Sequence, residues 1–159
     1  MSKIYKTVRL AYSAKVWIDH LIVCRERELK EEIKNGLLDK LETDIQNNYS
    51  EILDGISINV ILKVSAGSVI EQAYRFCKTR NFTDDEWEEI QTRMDKTVVK
   101  ENFQNENTVT PRIFLERNVL EGLEELRYKF KRNEPGKRLP KLSYIIKLVV
   151  FAFYSQLED

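Results

Sequence analysis

Residues 5–12 read Tyr-Lys-Thr-Val-Arg-Leu-Ala-Tyr, and residues 110–115 read Thr-Pro-Arg-Ile-Phe-Leu. In the first stretch Val8, Leu10 and Tyr12 alternate with Thr7, Arg9 and Ala11, the period of a strand with one buried face. In the second, Pro111, Ile113 and Leu115 alternate with Thr110, Arg112 and Phe114. Pro111 has no amide hydrogen, so it must face away from any ladder partner.

Each stretch runs into a helical pattern. Ser13 stands where an N-cap is expected, followed by Val16, Trp17, Leu21 and Cys24 at helical spacing. The charged run 25–34 continues this helix and Gly36 is expected to end it. After the second stretch, Val119, Leu120, Leu123, Leu126 and Phe130 share one helical face. The residues at 133–140 contain Glu-Pro-Gly and break the pattern, and a final helix is expected over about 141–157, apolar on most sides. Such a helix needs burial all round, at the centre of the core or in a dimer interface.

Between the two units, Leu37, Leu38, Leu41 and Ile45 suggest a further helix, with turns at 47–50 and at Asp54-Gly55. Residues 56–64 are rich in β-branched side chains and fit strand or helix equally. Ser65 caps an expected helix to Lys78 that presents Val69, Ile70, Ala73, Phe76 and Cys77. Thr83 and Glu86 form a capping-box pair and open a short helix to about Met94. Residues 101–108 are polar and read as a loop.

The two units align without gaps. Thr7 falls on Thr110, Arg9 on Arg112, Leu10 on Ile113, Tyr12 on Leu115 and Val16 on Val119. Further along, Ser68 falls on Ser143 and Ile70 on Ile145. From Val16 to Ser68 is 52 residues and from Val119 to Ser143 is 24, so the first unit carries about 28 extra. The expected organisation is a first unit over 5–78 with a helical insertion at about 35–62, an acidic connector over 79–108, and a second unit over 109–159.

A short strand, a helix, a turn and a second helix resemble the ribbon-helix-helix family of Arc/MetJ/CopG-type DNA-binding proteins. The two-unit chain is similar to the tandem form seen in the relaxosome accessory protein of F-type conjugative plasmids. The resemblance implies a mainly α fold with short β. Two units would interlock within one chain as a pseudo-dimer, and their strands would pair into a two-stranded antiparallel ribbon that enters the major groove of double-stranded DNA. It implies base contacts from Thr7, Arg9 and Ala11 and from Thr110, Arg112 and Phe114. It places DNA phosphates at the starts of the second helices, around Ser65 and Ser68 and around Lys141 and Ser143. Lys6, Lys137 and Arg138 would add backbone charge. The function so implied is a transcriptional repressor or a mobile-element accessory factor. A helical protein–protein interaction module, an adaptor or antitoxin-like partner without DNA binding, is the other reading.

Composition bounds both readings. The chain has 159 residues, 42% hydrophobic and 33% charged, with few Gly and Pro, so helix should dominate. Its 26 basic and 26 acidic residues cancel, which gives DNA binding no support from net charge. The distribution is uneven, however. Residues 1–20 hold Lys3, Lys6, Arg9 and Lys15 against Asp19 alone, while 79–108 are strongly acidic. The acidic run 84–89 reads as a solvated helix start. His20 stands without a Cys, Asp or Glu cluster, Cys24 and Cys77 form no ligand or redox motif, and Trp17 and Trp87 read as packing residues. No phosphate loop or nucleophile motif is present, so no enzyme, metal or cofactor is expected. Apolar runs are shorter than the roughly 18 residues of a membrane span and the first residues lack a signal-peptide core, so a cytoplasmic location is expected. A protein partner on the insertion 35–62 or on the last helix, and self-association, both remain open.

Overall fold

The computed structural model describes residues 2–103 and 107–158. The described residues are mainly helical, with a small antiparallel strand pairing between the first residues and a segment about 100 residues later in the chain. β1 (Lys3–Thr7) and β2 (Leu10–Ala11) precede α1 (Tyr12–Lys34), α2 (Leu37–Asn48), α3 (Ala66–Arg80) and α4 (Asp84–Lys100). β3 (Thr108–Val109) and β4 (Arg112–Glu116) then lead into α5 (Arg117–Asn133) and α6 (Leu142–Glu158).

β1 pairs with β4, Tyr5 opposite Phe114 and Thr7 opposite Arg112. β2 pairs with β3, Leu10 opposite Val109. Two residues separate the ladders on each strand, so one register runs through both. It brings Val8 opposite Pro111 and Arg9 opposite Thr110. The gap falls at Pro111, which has no N–H to give. Beyond β2 the register is extended by the Tyr12 N–H, which donates to the Asn107 carbonyl at 3.0 Å.

Five local expectations need correction here. The strand expected over 5–12 begins earlier and stops at Ala11, and Tyr12 is an exposed first residue of α1. Ser13 is not the N-cap; Ala11 holds that position without a side-chain bond, and Ser13 lies buried inside the helix. The cross-strand bond at Tyr12 gives a partner to one of the first-turn N–H groups that have none within the helix. The loop expected over 101–108 lies partly outside the described residues, and its last residue, Thr108, belongs to β3. The helix expected to reach Met94 continues to Lys100, and residues 56–64 form neither strand nor helix.

The core lies under the paired strands. Ile113 and Leu115 point into it from β4, and Val8 and Leu10 from the first strand segment. Ile145, Ile146, Leu148, Val149 and Val150 of α6 are fully buried. α6 packs against α1, α3, α4 and α5 and against β2, which is why it shows no polar face. Helix packing crosses between the two units: α1 meets α6 as well as α3, and α5 meets α3 as well as α6. Trp17 packs on Phe151 and Tyr154, and Trp87 on Phe82 and Phe130, so both tryptophans are packing residues. His20 lies edge-on to Tyr154.

α1 changes character along its length. Its buried residues end at Leu21, and the remainder runs out to the turn at Gly36, whose φ of 92° suits glycine. α2 has no fully buried residue; Leu37, Leu38, Leu41 and Ile45 are half-buried, and the helix leans on α1.

Cys77 is buried with its Sγ 3.8 Å from the Val149 carbonyl, and burial pushes the thiol up to about 12. Cys24 is half-buried. Alkylation of the native protein near about pH 8, followed by mass spectrometry, should modify Cys24 first and leave Cys77 intact. An unfolded thiol ionises near about 8.5, so the stability that comes from keeping Cys77 protonated is complete below that pH. It is lost as pH rises toward about 12. Over that window the urea midpoint should fall less steeply in Cys77→Ala than in the wild type.

Candidate nucleic-acid interface

One face of the paired strands packs on the core and the other meets solvent. The outward face carries Tyr5, Thr7 and Arg9 on one strand and Thr108, Thr110, Arg112 and Phe114 on the other, all exposed. Ala11 shares this face and is half-buried. The alternation that turns Ile113 and Leu115 inward is what turns these side chains outward.

The register pairs the four polar candidates crosswise. Thr7 lies opposite Arg112, and Arg9 lies opposite Thr110 by continuation of the ladder. In the repeat alignment Val8 falls on Pro111, and in the register Val8 also faces Pro111. A two-fold axis through that one pair therefore carries Arg9 onto Arg112, Thr7 onto Thr110 and Tyr5 onto Thr108. The repeat belongs to the sequence and the register to the strand pairing, and they agree on one centre.

The two arginines obey this relation in detail. The Arg9 Nε donates to the Thr108 Oγ1 at 2.9 Å. The Arg112 guanidinium lies over the Tyr5 ring, 5.9 Å from its centre. Each arginine is held by its diagonal neighbour on the other strand, one through a hydrogen bond and one through a ring face. Tyr5 also accepts a hydrogen bond from the Thr7 hydroxyl at 3.0 Å and packs on Phe114, ring centres 5.3 Å apart. Tyr5 and Thr108 are absent from the readers that the sequence suggests. Extending the alternation two residues before Thr7 and before Thr110 finds both.

Of the two second helices, α3 starts against the strands, and α6 packs against β2. α3 begins against β4: a methyl group on Gly67 would overlap the Phe114 carbonyl oxygen, so only glycine permits this approach. Ser65 and Ser68 close a reciprocal capping box there, the Ser68 N–H donating to Ser65 Oγ at 3.2 Å and the Ser65 N–H to Ser68 Oγ at 2.9 Å. Their hydroxyls are thus already engaged. At α6, Lys141 is exposed just before the helix and its carbonyl accepts from the Tyr144 N–H, while Ser143 is half-buried in the first turn. Lys137 and Arg138 line a groove of about 600 Å³ between α4 and the α5–α6 turn, floored by Trp87, Phe130 and Tyr144. Lys137 is paired there with Glu134 at 3.1 Å. Burial, and then Asp95 and Glu134, raise the Tyr144 hydroxyl above its ordinary value. Lys6 sits opposite Ile113 on the inward-facing register, yet is exposed.

Glu71 of α3 is a further residue that the sequence does not reveal. Its carboxylate is buried and accepts from the Lys3 Nζ at 3.0 Å and from the Glu116 N–H at 2.6 Å. Lys3 and Glu116 are the terminal pair of the β1–β4 ladder, so one side chain ties both strands at that end.

Among the described residues no cluster of His, Cys, Asp and Glu is placed to hold a metal ion, and no helix is long and apolar enough to cross a membrane. Comparison with protein-family models, with curated proteins and with solved structures finds no match to this chain.

Proposed function

We propose that the chain is a sequence-specific double-stranded DNA-binding protein that lays a two-stranded ribbon in the major groove. In this reading it is a tandem ribbon-helix-helix protein whose two units interlock as an intrachain pseudo-dimer. The single observation that carries the reading is the antiparallel pairing of the segment at residues 3–11 with the segment at 108–116, which gathers Thr7, Arg9, Thr110 and Arg112 on one exposed face around a common two-fold centre. A two-stranded ribbon fits the width of the major groove, and arginine forks match the O6 and N7 acceptors of guanine. The crossed helix packing of α1 with α6 and of α5 with α3 agrees with interlocked units. The protein would act by occupying its site, as a transcriptional repressor or as an accessory factor of a mobile element, without chemistry of its own.

Selection from a pool of random duplexes by the purified full chain tests this directly. A defined motif is expected, bound at least about 10³-fold more tightly than bulk DNA at physiological salt. Sedimentation should show one monomer per site. If no motif emerges at moderate salt, the DNA reading fails.

One observation favours the second reading, a helical interaction module. The insertion exposes Tyr49, Ile52, Ile56 and Ile61, the last two isoleucines of the series at 55% and 82% exposure. Such a run is a candidate surface for a protein partner or for self-association, and it lies on a segment separate from the ribbon face. The two roles are therefore compatible in one chain.

A further inference from the structure

The two-fold relation that superposes the arginines does not superpose their surroundings. At one end of the outward face Tyr5 and Phe114 form an exposed ring pair, 46% and 53% accessible. The same relation carries Tyr5 onto Thr108 and Phe114 onto Ala11, so the other end presents a hydroxyl and a methyl group. An exposed phenyl ring in a polar reading face is costly to leave in water, and its burial on binding is favourable only against an apolar partner. The floor of the major groove offers one apolar group that protrudes: the C5-methyl of thymine.

We propose that the Tyr5–Phe114 end of the ribbon recognises a 5-methyl pyrimidine, thymine in ordinary DNA, and thereby sets the protein on an asymmetric site in one orientation. This rests on the DNA-binding reading above. Arg9 and Arg112 supply the same contact in both half-sites. The large aromatic contact to the methyl group belongs to one half-site only. Arg112, held over the Tyr5 ring, couples the two contacts: the ring that packs on the methyl also fixes the guanidinium beside it.

The test uses the selected duplex and a series in which single thymines are replaced by deoxyuridine, which removes the methyl and leaves the pairing edge unchanged. With the wild-type chain, substitution at one end of the site should weaken binding about fourfold per methyl, the worth of one buried methyl group. Substitution at the mirror position of the other half-site should have a clearly smaller effect, because only the small side chains of Ala11 and Thr108 stand there. The variant Tyr5→Thr/Phe114→Ala places the residues of the plain end at both ends. It should lose the one-sided thymine preference and shift the selected site toward two-fold symmetry, because a threonine at position 5 can hold Arg112 as Thr108 holds Arg9. Both side chains are exposed, so an unchanged thermal midpoint is expected; should the variant unfold, the deoxyuridine series on the wild type decides alone. Equal sensitivity at both ends, or none at either, overturns the proposal while leaving DNA binding intact. A wild type that selects no motif removes the DNA reading itself, and this inference with it.

Discussion

Replacing Arg9 and Arg112 together by alanine is expected to cut the preference for the selected site over bulk DNA by at least about 30-fold. A bidentate arginine–guanine contact is worth about 1–3 kcal/mol of discrimination. The two arginines have different holding partners, Thr108 and Tyr5, so their effects should be close to additive, about 2–6 kcal/mol together. At the low end this is roughly a 30-fold loss. Both side chains are exposed, and the thermal midpoint should not move by more than a degree or so. Lysine at the same positions keeps the charge but loses the fork, and should recover affinity without recovering sequence preference. Removing Lys6 or Lys141 should behave oppositely: a uniform weakening on all sequences, with the salt slope reduced by about 1 for each phosphate no longer neutralised. Fluorescence anisotropy titrations at several salt concentrations separate the two patterns. A double variant that retains full specificity would show that other residues read the bases.

The strand face and most helices are legible because their signals are local. The alternation at residues 110–115 fixes Ile113 and Leu115 as inward and Arg112 and Phe114 as outward, and both pairs fall there. The capping boxes at Ser65 and Thr83 mark true helix starts. Where the local signal misleads, a distant segment supplies the deciding bond. Tyr12 alternates correctly for a buried strand residue, but its N–H is taken by Asn107 and the chain turns into α1 one residue before the serine that resembles a cap. Tyr5 lies one alternation step before Thr7 and so points outward with it, and Phe114 comes opposite it from a strand more than 100 residues away. The β-branched run at 56–64 carries no deciding signal at all: without a partner strand or a helical period it stays irregular. Glu71 is silent in the sequence, since nothing near it announces that Lys3 and Glu116 will be its neighbours.

That buried carboxylate is the origin of the second large effect. Glu71→Ala would leave the Glu116 N–H without its acceptor at the junction of β4 and α5. The Lys3 side chain is 40% accessible and its ammonium can recover water, so the full cost of breaking a buried ion pair, about 3–5 kcal/mol, does not apply. A loss of about 2–3 kcal/mol is expected, set by the orphaned amide and the missing charged acceptor. For a chain of this size that corresponds to a fall of about 4–12 °C in thermal midpoint. Glu71→Gln keeps an oxygen for the Glu116 N–H and gives up only the partly exposed pairing to Lys3, which is worth about 1 kcal/mol or less. Lys3→Ala should cost about as little. The ordering Ala far below Gln, with Gln near Lys3→Ala, is what an amide-holding role requires; equal losses for Ala and Gln would place the weight on the ion pair instead. Hydrogen exchange gives the local readout. In Glu71→Ala the amides of β1 and of Leu115 and Glu116 should exchange faster, while those of β2 and β3 at the far end of the ladder keep their protection. The frayed end is the one that carries Tyr5 and Phe114, so the same variant should lose discrimination at the aromatic half-site before it releases the other.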